Sequence, residues 1–215
     1  MSRHQILRHP LAPRPAHPLG IAICALLLAI AMASPAHADL RVVLDPGHGG
    51  HDKGSNWYGV YEKNLNLDVA KRVQTILKKE EGIAPVLTRT SDRFVSLEDR
   101  AAISNRFGST IFVSIHFNGH RNRGITGIET FYFNSSKGRR LATAIQNSLM
   151  SRMKTKSRGV KNRQYKVLRT TKAPAALVEC GFLSNSWERK RCNEAWIRQA
   201  LAEQIAKGII AYYRG

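Results

Sequence analysis

Arg41 to Gly50 reads RVVLDPGHGG. Val42, Val43 and Leu44 form a short apolar run that stops at Asp45-Pro46, and a glycine-rich turn then presents His48. A bounded apolar run of this length predicts a fully buried strand. Pro46 has no N–H to give to a ladder, and Gly47, Gly49 and Gly50 accept backbone angles that other residues avoid. His48 is thereby expected at the carboxyl end of a strand. Open α/β sheets build their sites along that edge.

Two later segments repeat the arrangement. Ile111 to His116, IFVSIH, is an apolar strand ending in histidine, and Ala175 to Glu179, AALVE, is one ending in glutamate. Three buried strands that each deliver a ligand-type residue at the same end are hard to explain by packing alone.

Helical patterns lie between these strands. Leu65, Val69, Val73, Ile76 and Leu77 recur at helical spacing after Glu62, which falls in a first turn where a carboxylate favours the helix dipole. Ala84–Thr88 reads as a short strand. Ser96 and Asp99 resemble a capping box for a helix through about Phe107, and Gly138–Met153 carries a further apolar helical face. GIETFYFN, from Gly127, is rich in strand formers. Trp57–Tyr61 and the basic Lys154–Lys166 read as loops, and Tyr165–Leu168 as a strand. A final helical stretch starts at Asn185, breaks near Cys192 and runs to Tyr213. The alternation predicts an α/β fold: a single domain whose mostly parallel, twisted sheet has helices on both faces and its site at the carboxyl ends of the strands.

The fold does not need all 215 residues. Residues 1–18 hold Arg3, Arg8 and Arg14 and no acid, Leu19–Ala33 is an apolar run too short for a span, and Ala36-His37-Ala38 follows. Residues 1–38 therefore read as a secretory signal peptide cleaved after Ala38, and residues 39–215 as one exported domain, periplasmic or secreted. No other segment is membrane-length. Residues 39–215 hold all 15 acidic residues and 31 of the 34 basic ones, a formal charge of +16. Such a charge calls for an anionic partner. Export argues against nucleic acid and for the cell wall or envelope surface. Cys180 and Cys192 remain after cleavage, either as buried thiols or as a disulfide. Alternation turns Cys180 away from the site, and no C-x-x-C pattern offers a thiolate metal site.

His48, His116 and Glu62 make a plausible set of three ligands, with Glu179 free to act as a base. Two histidines and a carboxylate suit zinc and also non-haem iron. His51 shares the glycine turn as a supporting or substrate group, whereas His120 sits in a polar loop. Asn118 either contacts substrate or holds its loop. Asp92 and Arg100 read as structural partners of the turn. Arg158-Gly159-Val160-Lys161 is a solvated charge run or a contact for wall or peptide carboxylates. Trp187 and Trp196 read as core or capping aromatics.

LDPGHGGHDKGS, YEKNLNLDVA, LTRTSD, IFVSIHFNGH and LVECGFLSN, in that order, resemble the zinc-dependent N-acetylmuramoyl-L-alanine amidases of the Amidase_3 type, with an AmiC-like catalytic domain. The resemblance spans about Arg41 to Tyr212. It implies one catalytic Zn2+ ion held by His48, Glu62 and His116, with Glu179 as the catalytic glutamate. The implied reaction is hydrolysis of the amide between N-acetylmuramic acid and the L-alanine of the stem peptide in peptidoglycan. Zinc would activate a water and polarise the carbonyl, and Glu179 would take the water's proton and return it to the departing amine. Certain relatives carry an occluding helix between the second histidine and the catalytic strand. Here the 63-residue interval is filled by core elements, which predicts an open monomer that needs no activator protein. The rivals are a zinc peptidase acting within the stem peptide and a non-catalytic wall-binding protein.

Overall fold

The computed structural model describes residues 39–215, so the reading of residues 1–38 as a leader lies outside the described residues. The stretch RVVLDP is the heart of β1 (Leu40–Pro46), where only Arg41 is exposed. A small hairpin, β2 (Asn56–Trp57) and β3 (Val60–Tyr61), leads into α1 (Glu62–Leu77). Then come β4 (Ile83–Leu87), α2 (Leu97–Asn105), β5 (Thr110–Asn118) and β6 (Ile128–Tyr132). The chain continues through α3 (Ser136–Arg152), β7 (Ser157–Asn162), α4 (Lys166–Thr170) and β8 (Ala175–Phe182). It ends with α5 (Ser186–Asn193) and α6 (Ala195–Arg214).

Six strands form one sheet in the order β4-β1-β5-β8-β6-β7. The first four are mutually parallel, β6 runs antiparallel to β8, and β7 is parallel to β6. The predicted fold class holds, with this reversed pair added at one edge.

Strand alternation divides the apolar residues between two faces. Val42, Leu44, Val113, Ile115, Val178 and Cys180 face the larger cluster, built with α1, α3 and α6. Val43, Phe112, Phe131, Ala175 and Leu177 face a smaller one, closed by Val167 and Leu168 of α4. In α1 the four-residue spacing of Leu65, Val69, Val73 and Leu77 lays one buried stripe on the sheet. Ser96 caps α2 as its spacing predicts, accepting from the Asp99 N–H at 3.1 Å and donating to the Asp99 carboxylate at 2.7 Å. At the crossing of α3 and α6, a side chain on Gly208 would lie 2.6 Å from the Ile145 Cα, so glycine permits this approach.

Several local readings change. Trp57–Tyr61 is mostly hairpin, with Gly59 supplying a positive φ at its tip. Within the supposed basic loop, residues 157–162 are edge strand β7, where charged side chains suit an exposed edge. Tyr165–Leu168 is no strand: Val167 and Leu168 belong to the five-residue helix α4, too short to show a period. Trp187 and Trp196 are 51% and 67% exposed, so they are not core. Trp187 instead stacks under Arg191, whose guanidinium carbon is 4.4 Å from the ring centroid. Cys180 and Cys192 are free and buried. Burial pushes Cys180 well up and Cys192 to about 12, so neither is a ready nucleophile.

Candidate metal centre

Beyond β1, the chain is held by a knot of buried charge. Asp45 accepts from Arg100 at 2.7 Å, Thr88 at 2.7 Å and Ser114 at 2.8 Å. Arg100 also donates to the carbonyls of Pro46 and His48, both at 2.8 Å. Arg89 donates to the carbonyls of Pro46, Gly47 and Lys63 at 2.8–3.0 Å. Burial, then the charge of Arg100, pulls the Arg89 pKa down to about 10, which still leaves it charged at neutral pH. Asp92 accepts from the Gly50 N–H at 2.8 Å and from Lys63 at 2.6 Å. Asp92 and Arg100 thus serve the structural role expected of them. The loop so fixed holds His48 at φ 59°, an unfavourable angle for a non-glycine residue.

His116 stands near the end of β5, just before a register shift between His116 and Asn118. Its ring occupies the space where a Gly47 side chain would be, 2.0 Å from that position. Any larger residue at 47 would expel the histidine. Glu62, in the first turn of α1, comes over the sheet's edge to meet both imidazoles. Its Oε1 lies 3.2 Å from His48 Nε2 and 2.9 Å from His116 Nδ1. The backbone N–H groups of Phe117 and Ser55 donate to its two oxygens at 3.1 and 2.7 Å. A Gly54 side chain would collide with Glu62 Oε2 at 2.5 Å, so this turn closes only on glycine.

One ligand atom from each of His48, Glu62 and His116 falls within 4.8 Å of the others. On the far side of His48, Nδ1 meets Asp52 Oδ2 at 2.8 Å. That bond places the proton on Nδ1 and leaves Nε2 free for a metal. Asp52 was missed in the sequence, although its four-residue spacing from His48 in a tight turn was a usable signal. His51, expected to support the site, is exposed and packs on Phe94, ring centroids 4.3 Å apart.

The electrostatics fit a cation. Burial opposes the charge of Glu62, but bonds from His116 and His48 outweigh it and hold its pKa far below the usual carboxylate range. Burial likewise works to lower His48, and Glu62 and Asp52 outweigh it, so its pKa is raised.

Glu179 sits beside His116 as its register partner in β8. Its Oε2 is buried and, among the described residues, has no hydrogen-bond partner. Burial, then the carboxylates of Glu62 and Glu129, raises its pKa well above the ordinary value. Glu129 of β6 is the next register partner, and Gly159 of β7 follows. His116, Glu179, Glu129 and Gly159 form one row across four strands, on the face of the smaller apolar cluster. Asn118, the last residue of β5, is tied down: its amide donates to Glu129 at 3.0 Å and its carbonyl accepts from the Gly119 N–H at 2.8 Å.

A cavity of about 330 Å³ opens beside the histidines, lined by Gly47, His48, Asp52, Phe94, His116 and Val167 among others. A wider depression of about 670 Å³ lies between α3 and α6, lined by Arg139, Arg140, Asn147 and Tyr212. Its lining side chains include no carboxylate, imidazole or thiol, so hydrolytic chemistry belongs to the smaller cavity.

The sequence pattern of the N-acetylmuramoyl-L-alanine amidase family Amidase_3 matches residues 42–211, nearly all of the described chain. The chain belongs to that family. This makes the protein an N-acetylmuramoyl-L-alanine amidase by class. It is 37% identical to the uncharacterized protein YqiI of Bacillus subtilis over 90% of this chain and 96% of that one. It is 36% identical to the N-acetylmuramoyl-L-alanine amidase LytC of the same organism, over 80% of this chain but 35% of LytC. Among solved structures, the N-acetylmuramoyl-L-alanine amidase of Clostridium difficile 630 superposes with a TM-score of 0.80 at 38% identity, covering 83% of this amidase and 98% of the other.

Proposed function

We propose that this amidase hydrolyses the bond between N-acetylmuramic acid and the stem-peptide L-alanine of peptidoglycan with one zinc ion, outside the cytoplasm. The observation that carries this reading is the meeting of His48, Glu62 and His116 beside the unpartnered Oε2 of Glu179. Two imidazole nitrogens and one carboxylate, with no thiolate, are a common donor set for catalytic zinc. His48 Nε2, His116 Nδ1 and Glu62 would hold the ion. Bound there, zinc lowers the pKa of a water and polarises the amide carbonyl.

The remaining work falls to the chain. Glu179 Oε2 takes the proton of the attacking water and passes it to the leaving amine. Asp52 keeps His48 in the tautomer that binds. Arg89 and Arg100 hold the His48 loop against the sheet, so the ligands need no rearrangement. Between His116 and Glu179 the chain forms a loop over residues 119–127 and then β6, α3, β7 and α4, which belong to the sheet or pack on it, a layout that supports an open site working as a monomer without an activator. Residues 1–38 would direct export, with cleavage after Ala38.

Digestion of purified muropeptides, followed by mass spectrometry with and without a chelator, tests the reaction. The expected products are intact glycan and intact stem peptide, formed only without chelator. Cleavage inside the peptide would replace this reading with that of a zinc peptidase. Restoration by zinc but not ferrous ion identifies the metal.

A further inference from the structure

The row of carboxylates ends in a pair of cations that the reaction does not use. Glu129, 5% exposed, stands across the antiparallel pair from Glu179, so both side chains lie on the same face. Its Oε1 accepts from Asn118. Its Oε2 receives Lys161 at 2.5 Å and Arg158 at 3.4 Å. Both cations come from edge strand β7, yet neither points away from the sheet as edge charges usually do. Arg158 lies over the Phe182 ring at 5.2 Å, and Lys161 over the Phe131 ring at 5.9 Å.

Lys161 and Arg158 both converge on the one carboxylate oxygen of Glu129. They also have donors to spare. Lys161 uses one of its three on Glu129, and among the described residues Arg158 Nη2 has no partner. Their side chains are 33% and 26% exposed, so an incoming anion can reach them. Gly159 between them places no side chain over the gap, with nothing within 4 Å of where a Cβ would stand. Tyr165 walls the same region, edge-on to Phe131 with centroids 5.1 Å apart. Burial, then the charges of Glu179 and Glu129, raises its pKa, as expected for a phenol near both carboxylates.

Distance sets what such a site can bind. From Glu179 on β8 to Glu129 on β6, where both cationic heads sit, is one strand spacing, about 4.8 Å. An extended peptide covers this in about one to two residues. We infer that Lys161 and Arg158, anchored by Glu129, form a subsite for the free carboxylate of the second stem-peptide residue, next to the alanine of the scissile amide. This rests on the reaction proposed above. The arrangement makes the enzyme selective for stem peptides whose side carboxyl is free over those in which it is amidated.

The test uses two muramyl tripeptides that differ only in whether the carboxyl of the second peptide residue is free or amidated. Products are identified by mass spectrometry, and kcat and KM are measured separately. The wild-type enzyme should prefer the free acid by roughly tenfold in kcat/KM, the scale of one charge-assisted hydrogen bond. Lys161→Gln keeps a donor for Glu129 but removes the charge. It should bring the ratio close to unity, mainly through a higher KM for the free acid. Arg158→Gln gives an independent reading if Lys161→Gln does not fold. Equal kcat/KM for the two substrates in the wild type overturns the subsite, as does a preference that survives both substitutions. A loss equal for both substrates also overturns it, because it would mean that the cations only hold Glu129. Cleavage of neither substrate at the lactyl amide removes the proposed reaction and the subsite together, and the products tell that failure from the others.

Discussion

The two faces of the sheet are built differently. One carries α1, α3 and α6 over a continuous apolar layer that includes Val42, Leu44, Val113, Ile145, Val178 and Ile205. The other carries only α2 and α4 over a short apolar patch, and its strands end in Asp45, Ser114, His116, Glu179 and Glu129. The thick face supplies burial. The thin face stops early, and its strand ends hold His116 and Glu179, with His48 on the loop after β1 and Glu62 reaching in from α1 of the thick face. A carboxylate oxygen such as Glu179 Oε2, unpartnered among the described residues, costs stability that the thick face of the same sheet offsets.

The contrast can be broken experimentally. The largest effect is expected at Glu179. Glu179→Gln should lower kcat by about 10²–10⁴-fold, the range for loss of a general acid–base group, while zinc binding and thermal stability are kept. Near-wild-type turnover in that variant would place the base elsewhere. Arg100→Met comes next. It leaves Asp45 buried and unpaired, for which about 3–5 kcal/mol of destabilisation is expected in denaturant unfolding. Activity should fall as well, because the His48 carbonyl loses its donor. An unchanged unfolding midpoint would mean that the thin face contributes no stability of its own. The smallest of the three is Gly208→Ala on the thick face, where the new methyl forces α3 and α6 apart. It should cost about 1–3 kcal/mol and leave kcat per folded molecule unchanged. If kcat fell instead, the two faces would not be as separable as drawn here.

What the sequence reveals follows the same division. Buried parallel strands are near-continuous apolar runs, so β1, β5 and β8 and the residues at their ends could be read directly. Long amphipathic helices such as α1 and α3 show their period. The edge around β7 could not be read. Ser157–Asn162 is polar because its side chains serve Glu129 and solvent, and nothing in SRGVKN alternates. Tyr165–Leu168 carries strand formers but packs as part of a one-turn helix, where tertiary contact overrides propensity. The exposure of Trp187 and Trp196 was equally invisible, since helical spacing does not say which stripe faces out. Asp52 went unread because a carboxylate in a glycine-rich turn looks like an ordinary turn former until His48 is seen to lean on it.

The row from His116 through Glu179 and Glu129 to Gly159 has a consequence for how this amidase can change. These positions are hydrogen-bonded neighbours, so their spacing is set by the roughly 4.8 Å repeat of the sheet and not by the lengths of the connecting loops. The hairpin at Trp57 and the segment after Asn118 can therefore lengthen, shorten or acquire whole inserted modules without shifting ligand against base. Variation in substrate range within such a scaffold is expected to accumulate in those connections and at the β7 edge, while the interval between His116 and Glu179 stays constant.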